Sequence, residues 1–117
     1  MADYWKESPP ILREFLNYHE SILSHSAQTV DEYFLDLRGF FRYLKMTRNP
    51  DLADVPFQEI SILDVDLDFV SKTQLSEIYG FLTFLTGGGA FGKAESTTRA
   101  RKCASIRSFY NYLCVHA

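Results

Sequence analysis

Val30, Tyr33, Phe34, Leu37, Phe40, Phe41 and Leu44 recur at offsets of three and four, and this is the strongest periodic pattern in the chain. Apolar side chains at that spacing line one side of an α-helix and demand cover from other elements. Gly39 interrupts the run at a cost of roughly 1 kcal/mol against Ala, yet seven apolar residues on one face outweigh it. Ser26 stands just upstream, a residue type whose hydroxyl accepts an amide proton from the first helical turn. The spacing predicts a long helix from about Ser26 to Met46, around which the rest must pack.

Three further helices supply that cover. Ser8-Pro9-Pro10 is a helix-start signal, followed by Ile11, Leu12, Phe15, Leu16, Ile22 and Leu23 at helical spacing, with a break over Ser24 to Ser26. Asn49 to Asp68 holds Pro50, Pro56 and six acids without a base, and Val65, Leu67 and Phe69 alternate. It reads as a long connection with a short extended or turn-like piece. A helix from Ser71 turns Leu75, Ile78, Tyr79, Leu82 and Leu85 inward and ends at Gly87-Gly88-Gly89, with Gly92 loosening the loop. The last begins near Ser96 or Thr97 and places Cys103, Ile106, Phe109, Tyr110, Leu113 and Cys114 on one side. With no internal repeat, the fold class is all-α, a compact four-helix domain.

The 117 residues are 46% hydrophobic and 23% charged, enough for one domain with a real core, and ten Phe, seven Tyr and one Trp make that core aromatic. No run of eighteen apolar residues and no signal-peptide core occurs, so a cytoplasmic protein without membrane contact is expected. Cys103 and Cys114 lie in one helical stretch, roughly 16 Å apart at 1.5 Å per residue, too far to pair. They are expected to be buried free thiols.

Catalytic and cofactor motifs fail on inspection. Gly87 to Lys93 matches the first seven positions of a phosphate-binding loop, but Ala94 stands where Ser or Thr must hold magnesium, and a helix precedes it where a strand is required. Asp64-x-Asp66-x-Asp68 starts like a calcium loop, yet Phe69 and Leu75 occupy the positions that need Gly and Glu. His19, His25 and His116 are read as sitting apart, with no paired Cys or acidic ligand spacing, and no nucleophile pattern is present. The chain is expected to need no cofactor, metal or small-molecule substrate, and to be no enzyme by itself.

Charge is distributed unevenly behind a net −3: residues 1–37 sum to −5, 38–48 to +4, 49–71 to −6, 72–92 to zero and 93–117 to +4. Arg38, Arg42 and Lys45 fall within about 60° of one another beside the apolar stripe, and none has a carboxylate three or four residues away. Arg101, Lys102 and Arg107 on the last helix lack such acids too, while Arg99 has Glu95. Opposite that helix's core stripe lie Ala100, Ala104, Ser105 and Ser108, small residues edged by Arg that let a helix approach a major groove. Thr97 and Thr98 add donors suited to phosphate. The same cations also fit an ordinary solvated face, or pairing across the fold with the acidic 49–71 connection.

Ala27-Gln28-Thr29-Val30 through Tyr33, then Asp36-Leu37-Arg38-Gly39-Phe40-Phe41-Arg42-Tyr43-Leu44, resembles the second helix of the core-binding domain of tyrosine recombinases, the family of phage integrases. Thr98-Arg99-Ala100-Arg101-Lys102-Cys103-Ala104-Ser105-Ile106-Arg107-Ser108-Phe109-Tyr110-Asn111-Tyr112-Leu113 resembles its final helix, with Ser105 to Tyr110 the most diagnostic part. The likeness runs from about Pro10 to Leu113. It implies that 1–117 is a single core-binding domain, a SAM-like orthogonal bundle forming half of a clamp on double-stranded DNA, with neighbouring protomers touching on the DNA. Carried across by residue, it places Arg38, Arg42, Lys45, Thr97, Arg99, Arg101, Lys102 and Arg107 at the DNA, with Lys93 a weaker candidate. Arg107, nearest the core stripe, is the one most suited to bracing the bundle instead.

The family's chemistry resides in a C-terminal catalytic domain carrying a nucleophilic Tyr, which this chain is expected to lack and to have as a partner in the parent protein. None of the seven tyrosines is assigned as a nucleophile. A net acidic domain implies weak binding alone, strengthened in the whole clamp by effective concentration. The alternative from the residues is a helical interaction adaptor of sterile-alpha-motif or death-domain type, whose acidic 49–71 surface meets the basic edge of another copy.

Overall fold

The long central helix forms, and its stripe is the core. In a computed structural model describing residues 4–87 and 95–116, the described helices are α1 (Tyr4–Glu7), α2 (Pro10–Asn17), α3 (Ala27–Arg48), α4 (Leu67–Ser71), α5 (Leu75–Thr86) and α6 (Ser96–His116). No strand occurs among the described residues, so the all-α class holds, with α2, α3, α5 and α6 as its four main helices. No described helix is long and apolar enough to cross a membrane. Gly88, Gly89, Gly92 and Lys93 of the predicted loop lie outside the described residues.

Ser26 caps α3 as its chemistry predicts, its hydroxyl accepting from the Thr29 amide at 3.2 Å. Val30, Phe34, Leu37, Phe40, Phe41 and Leu44 are buried, with Tyr33 half-buried beside them. Phe41 and Phe109 meet edge to face at 5.4 Å, packing α3 on α6, and Phe40 meets Phe81 of α5 at the same separation. From α2, the Phe15 ring lies 4.5 Å from His19, 5.4 Å from Tyr33 and Phe109, and 5.5 Å from Tyr112. The core is aromatic, as the composition requires.

Several sequence expectations are corrected. The first helix reaches the break at Ser24 to Ser26 as expected, but past Asn17 it is a π-helical turn, Tyr18–Ile22, whose wider winding shifts the 3.6-residue register. Ile22 and Leu23 consequently face solvent, His19 points inward, and the chain leaves through Ser24 at φ 57°, a sparsely populated region for a residue with a Cβ. The third helix begins not at Ser71 but at Leu75, because α4 intervenes, capped by the Asp66 carboxylate on the Phe69 amide at 2.8 Å. Leu67 and Phe69 are therefore helical rather than extended, and only two short 3-10 turns, Pro50–Leu52 and Phe57–Glu59, otherwise interrupt the connection.

On α5, Leu75 and Tyr79 face outward, and Phe81 takes the buried place. The segment is apolar on more than one side, so its pattern does not single out the inner face. Cys103 is half-buried and Cys114 exposed, both free, so neither is the buried thiol expected of it. The Tyr110 hydroxyl of α6 reaches the Val70 carbonyl oxygen at 2.9 Å and the Thr73 hydroxyl at 2.7 Å.

Candidate nucleic-acid interface

The basic edge of α3 has its partners inside the fold. Arg38 Nη1 donates to both Glu7 oxygens at 3.1 and 3.3 Å, while its guanidinium lies over the Phe34 ring. Arg42 is 7% exposed, with Nε donating to the Ile60 carbonyl at 3.0 Å and Nη2 lying 3.6 Å from Glu7. Burial, and then the charge of Arg38, lower its pKa, with Glu7 opposing. Lys45 bonds the Ser61 carbonyl and Asp64. One turn on, Arg48 holds Glu77 through two nitrogens at 2.8 and 3.0 Å and the Phe69 carbonyl at 2.7 Å. The Arg48 hydrogen bond is the first cause holding the Glu77 carboxyl below its usual range.

These pairs meet the charge question raised by the sequence. The acids answering the α3 cations come from α1, from the connection and from α5, at distances along the chain that no i±4 rule reaches. The three aspartates of the discarded calcium pattern are likewise occupied: Asp64 with Lys45, Asp66 as the α4 cap, and Asp68 with Lys72. Among the described residues no group of three His, Cys, Asp or Glu side chains is arranged to hold a metal ion. His19 and His25, six positions apart and without ligand spacing, do meet, with Nδ1 atoms 2.9 Å apart.

At the seam of α3 and α6, Asp36 is fully buried and accepts three hydrogen bonds. Arg101 Nη2 reaches Oδ1 at 2.9 Å, Lys102 Nζ reaches it at 3.1 Å, and Ser105 Oγ reaches Oδ2 at 2.7 Å. Ser105 is thus buried, which removes it from the outward small-residue face expected of it. The carboxylate explains why: a buried charge must be paired and hydrogen-bonded. Asp36 had no assigned role in the sequence, although its spacing of three from Tyr33 and four from Phe40 sets it at the margin of the apolar stripe.

The outward face of α6 is otherwise intact. Thr97, Ala100, Arg101, Ala104 and Arg107 are all exposed, Ser108 is half-buried, and Arg99 and Lys102 are half-buried to the sides. Arg107 points away from the core instead of bracing it. Arg101 keeps 44% of its side chain exposed while bonded to Asp36. A shallow groove beside it is lined by Thr29, Glu32, Tyr33, Arg101, Ala104 and Ser105.

No family model and no solved structure matches the chain. Curated sequences do. Tyrosine recombinase XerC of Caldanaerobacter subterraneus subsp. tengcongensis is 46% identical over 105 residues, 90% of this chain and 29% of that relative. The chain belongs to the tyrosine recombinases. Tyrosine recombinase XerC proteins of Chlorobaculum tepidum and Listeria innocua are 32% and 30% identical, over 87% and 86% of the chain and 26% of each relative. This tyrosine recombinase chain therefore spans little more than a quarter of the length of the relatives it matches.

Proposed function

We propose that the chain is the core-binding domain of a site-specific tyrosine recombinase, gripping duplex DNA at a recombination core site as half of a clamp during integration or excision in the cytoplasm. Its partner half is a catalytic domain of the same parent protein, which supplies strand cleavage and joining. The observation that carries this reading is the outward face of α6, where exposed Arg101 and Arg107 flank Ala100 and Ala104 below Thr97. Small side chains let the helix approach the groove, and cations at its margin meet phosphates.

Within this reading Thr97, Arg99, Arg101, Lys102 and Arg107 form the primary DNA contacts. Arg38 and Lys45 join by exchanging Glu7 and Asp64 for phosphate oxygens, an exchange open to them because those carboxylates are 45% and 75% exposed. Arg42, enclosed and bonded to the Ile60 carbonyl, contributes chiefly by holding the connection against α3.

The test is fluorescence anisotropy of a labelled duplex of about 30 base pairs, at low salt and at roughly 200 mM, with protein into the high micromolar range. Binding that weakens steeply with salt, as release of counterions from several phosphates requires, supports the proposal. Absence of binding at low salt, with concentration-dependent self-association, overturns it in favour of an adaptor.

A further inference from the structure

We propose that Asp36 is a positioning residue for the DNA interface, acting through Arg101; this rests on the DNA-binding reading above. Asp36 sits on α3 with no exposed surface, and the three donors that converge on it, Arg101, Lys102 and Ser105, come from little more than one turn of α6. Among the described residues only Nη2 of Arg101 is engaged, while the side chain stays 44% exposed. The rest of the planar fork stays at the surface beside Ala104, along the shallow groove described above, ready to meet a phosphate or a base edge. An anchored guanidinium surrenders less conformational freedom on binding than a free one.

Net charge and position make opposite predictions here. One carboxylate faces two cations, so removing its charge makes the surface more positive, and counterion release alone then favours tighter DNA binding. Positioning predicts weaker binding. Asp36→Asn keeps the shape but offers Arg101 only a neutral acceptor and turns amide protons into a site built from donors.

Asp36→Asn, Arg101→Ala and the double variant are titrated with the same 30-base-pair duplex across a salt series, with circular dichroism confirming the fold. Positioning requires Asp36→Asn to weaken binding about tenfold, within the coupling range of contacting residues. The double variant must bind no more weakly than Arg101→Ala, and the slope of log affinity against log salt must shrink by about one phosphate contact. A merely structural loss would leave that slope unchanged. Unchanged or tighter binding by Asp36→Asn, or additive losses in the double variant, overturns the proposal while the DNA-binding reading stands. If wild type itself fails to bind, that reading falls and this inference with it. Should Asp36→Asn fail to fold, Arg101→Lys carries the test: it keeps the charge, but an ammonium drawn to the carboxylate presents no fork outward. Binding must then fall as it does for Arg101→Ala, and wild-type affinity overturns the proposal.

Discussion

Gly80 lies beneath the phenol of Tyr43 so closely that a Cβ there would stand 2.5 Å from the hydroxyl oxygen and 3.5 Å from Cζ. The ring is flanked by Phe81 at 5.5 Å and Phe84 at 5.3 Å, which limits its room to swing aside. Gly80→Ala is expected to destabilise the domain by about 1–2 kcal/mol, although Ala is the better helix former. A urea midpoint at or above wild type would show that Tyr43 moves freely.

Gly39 behaves oppositely. The nearest atom to a Cβ there is Phe81 Cζ at 3.9 Å, ordinary van der Waals contact, and the residue is interior to α3. Gly39→Ala is expected to stabilise by about 0.5–1 kcal/mol through propensity alone. The same urea titration reads it, and a lowered midpoint would contradict the unstrained contact at this position.

Arg42 separates folding from binding. Arg42→Met preserves much of the apolar stem but leaves the Ile60 carbonyl without its donor, a loss of about 1–3 kcal/mol for a buried acceptor. Stability is expected to fall by that amount while duplex affinity changes less than about twofold, since the guanidinium is enclosed. An affinity loss equal to that of Arg101→Ala would place Arg42 on the DNA.

His19 gives stability a pH dependence. Burial first, and then the neighbouring His25, lower its pKa from 6.5. The unfolded chain therefore takes up the proton at a higher pH than the folded one, and stability rises with pH between the two values. The contribution is complete above about 6.5 and is lost as pH falls towards the folded value. With Nδ1 atoms 2.9 Å apart, one ring donates and the other accepts. Urea midpoints at pH 7.5, 6.5 and 5.5 should fall in that order, and His25→Gln should flatten the trend without abolishing it, because burial of His19 remains. An identical slope in His25→Gln would remove the second cause.

The sequence was most legible where one local pattern decided the outcome. The α3 stripe and Ser26 cap follow from spacing and side-chain chemistry, and the outward places of Ala100, Arg101 and Ala104 follow from the same periodicity. It was least legible where distant residues decide. Arg38 is 31 positions from Glu7 and Arg101 is 65 from Asp36, so the absence of i±4 carboxylates said nothing about their pairing. Ser105 illustrates the consequence, since helical angle alone assigned it to the small outward face, and only the Asp36 carboxylate across the seam accounts for its burial. The π-helical turn likewise escapes a 3.6-residue template, and with it went the exposure of Ile22 and the meeting of the two histidines.

Phe15 touches rings carried by the π-helical turn, by α3 and by α6, although it belongs to a helix of only eight residues. A helix that short has little stability of its own, and the ring that anchors it also fills the junction between the two longest helices. Shedding α2 and prising α3 from α6 therefore draw on the same contacts, which joins the amino-terminal corner to the rest of the domain as one cooperative unit rather than a detachable arm.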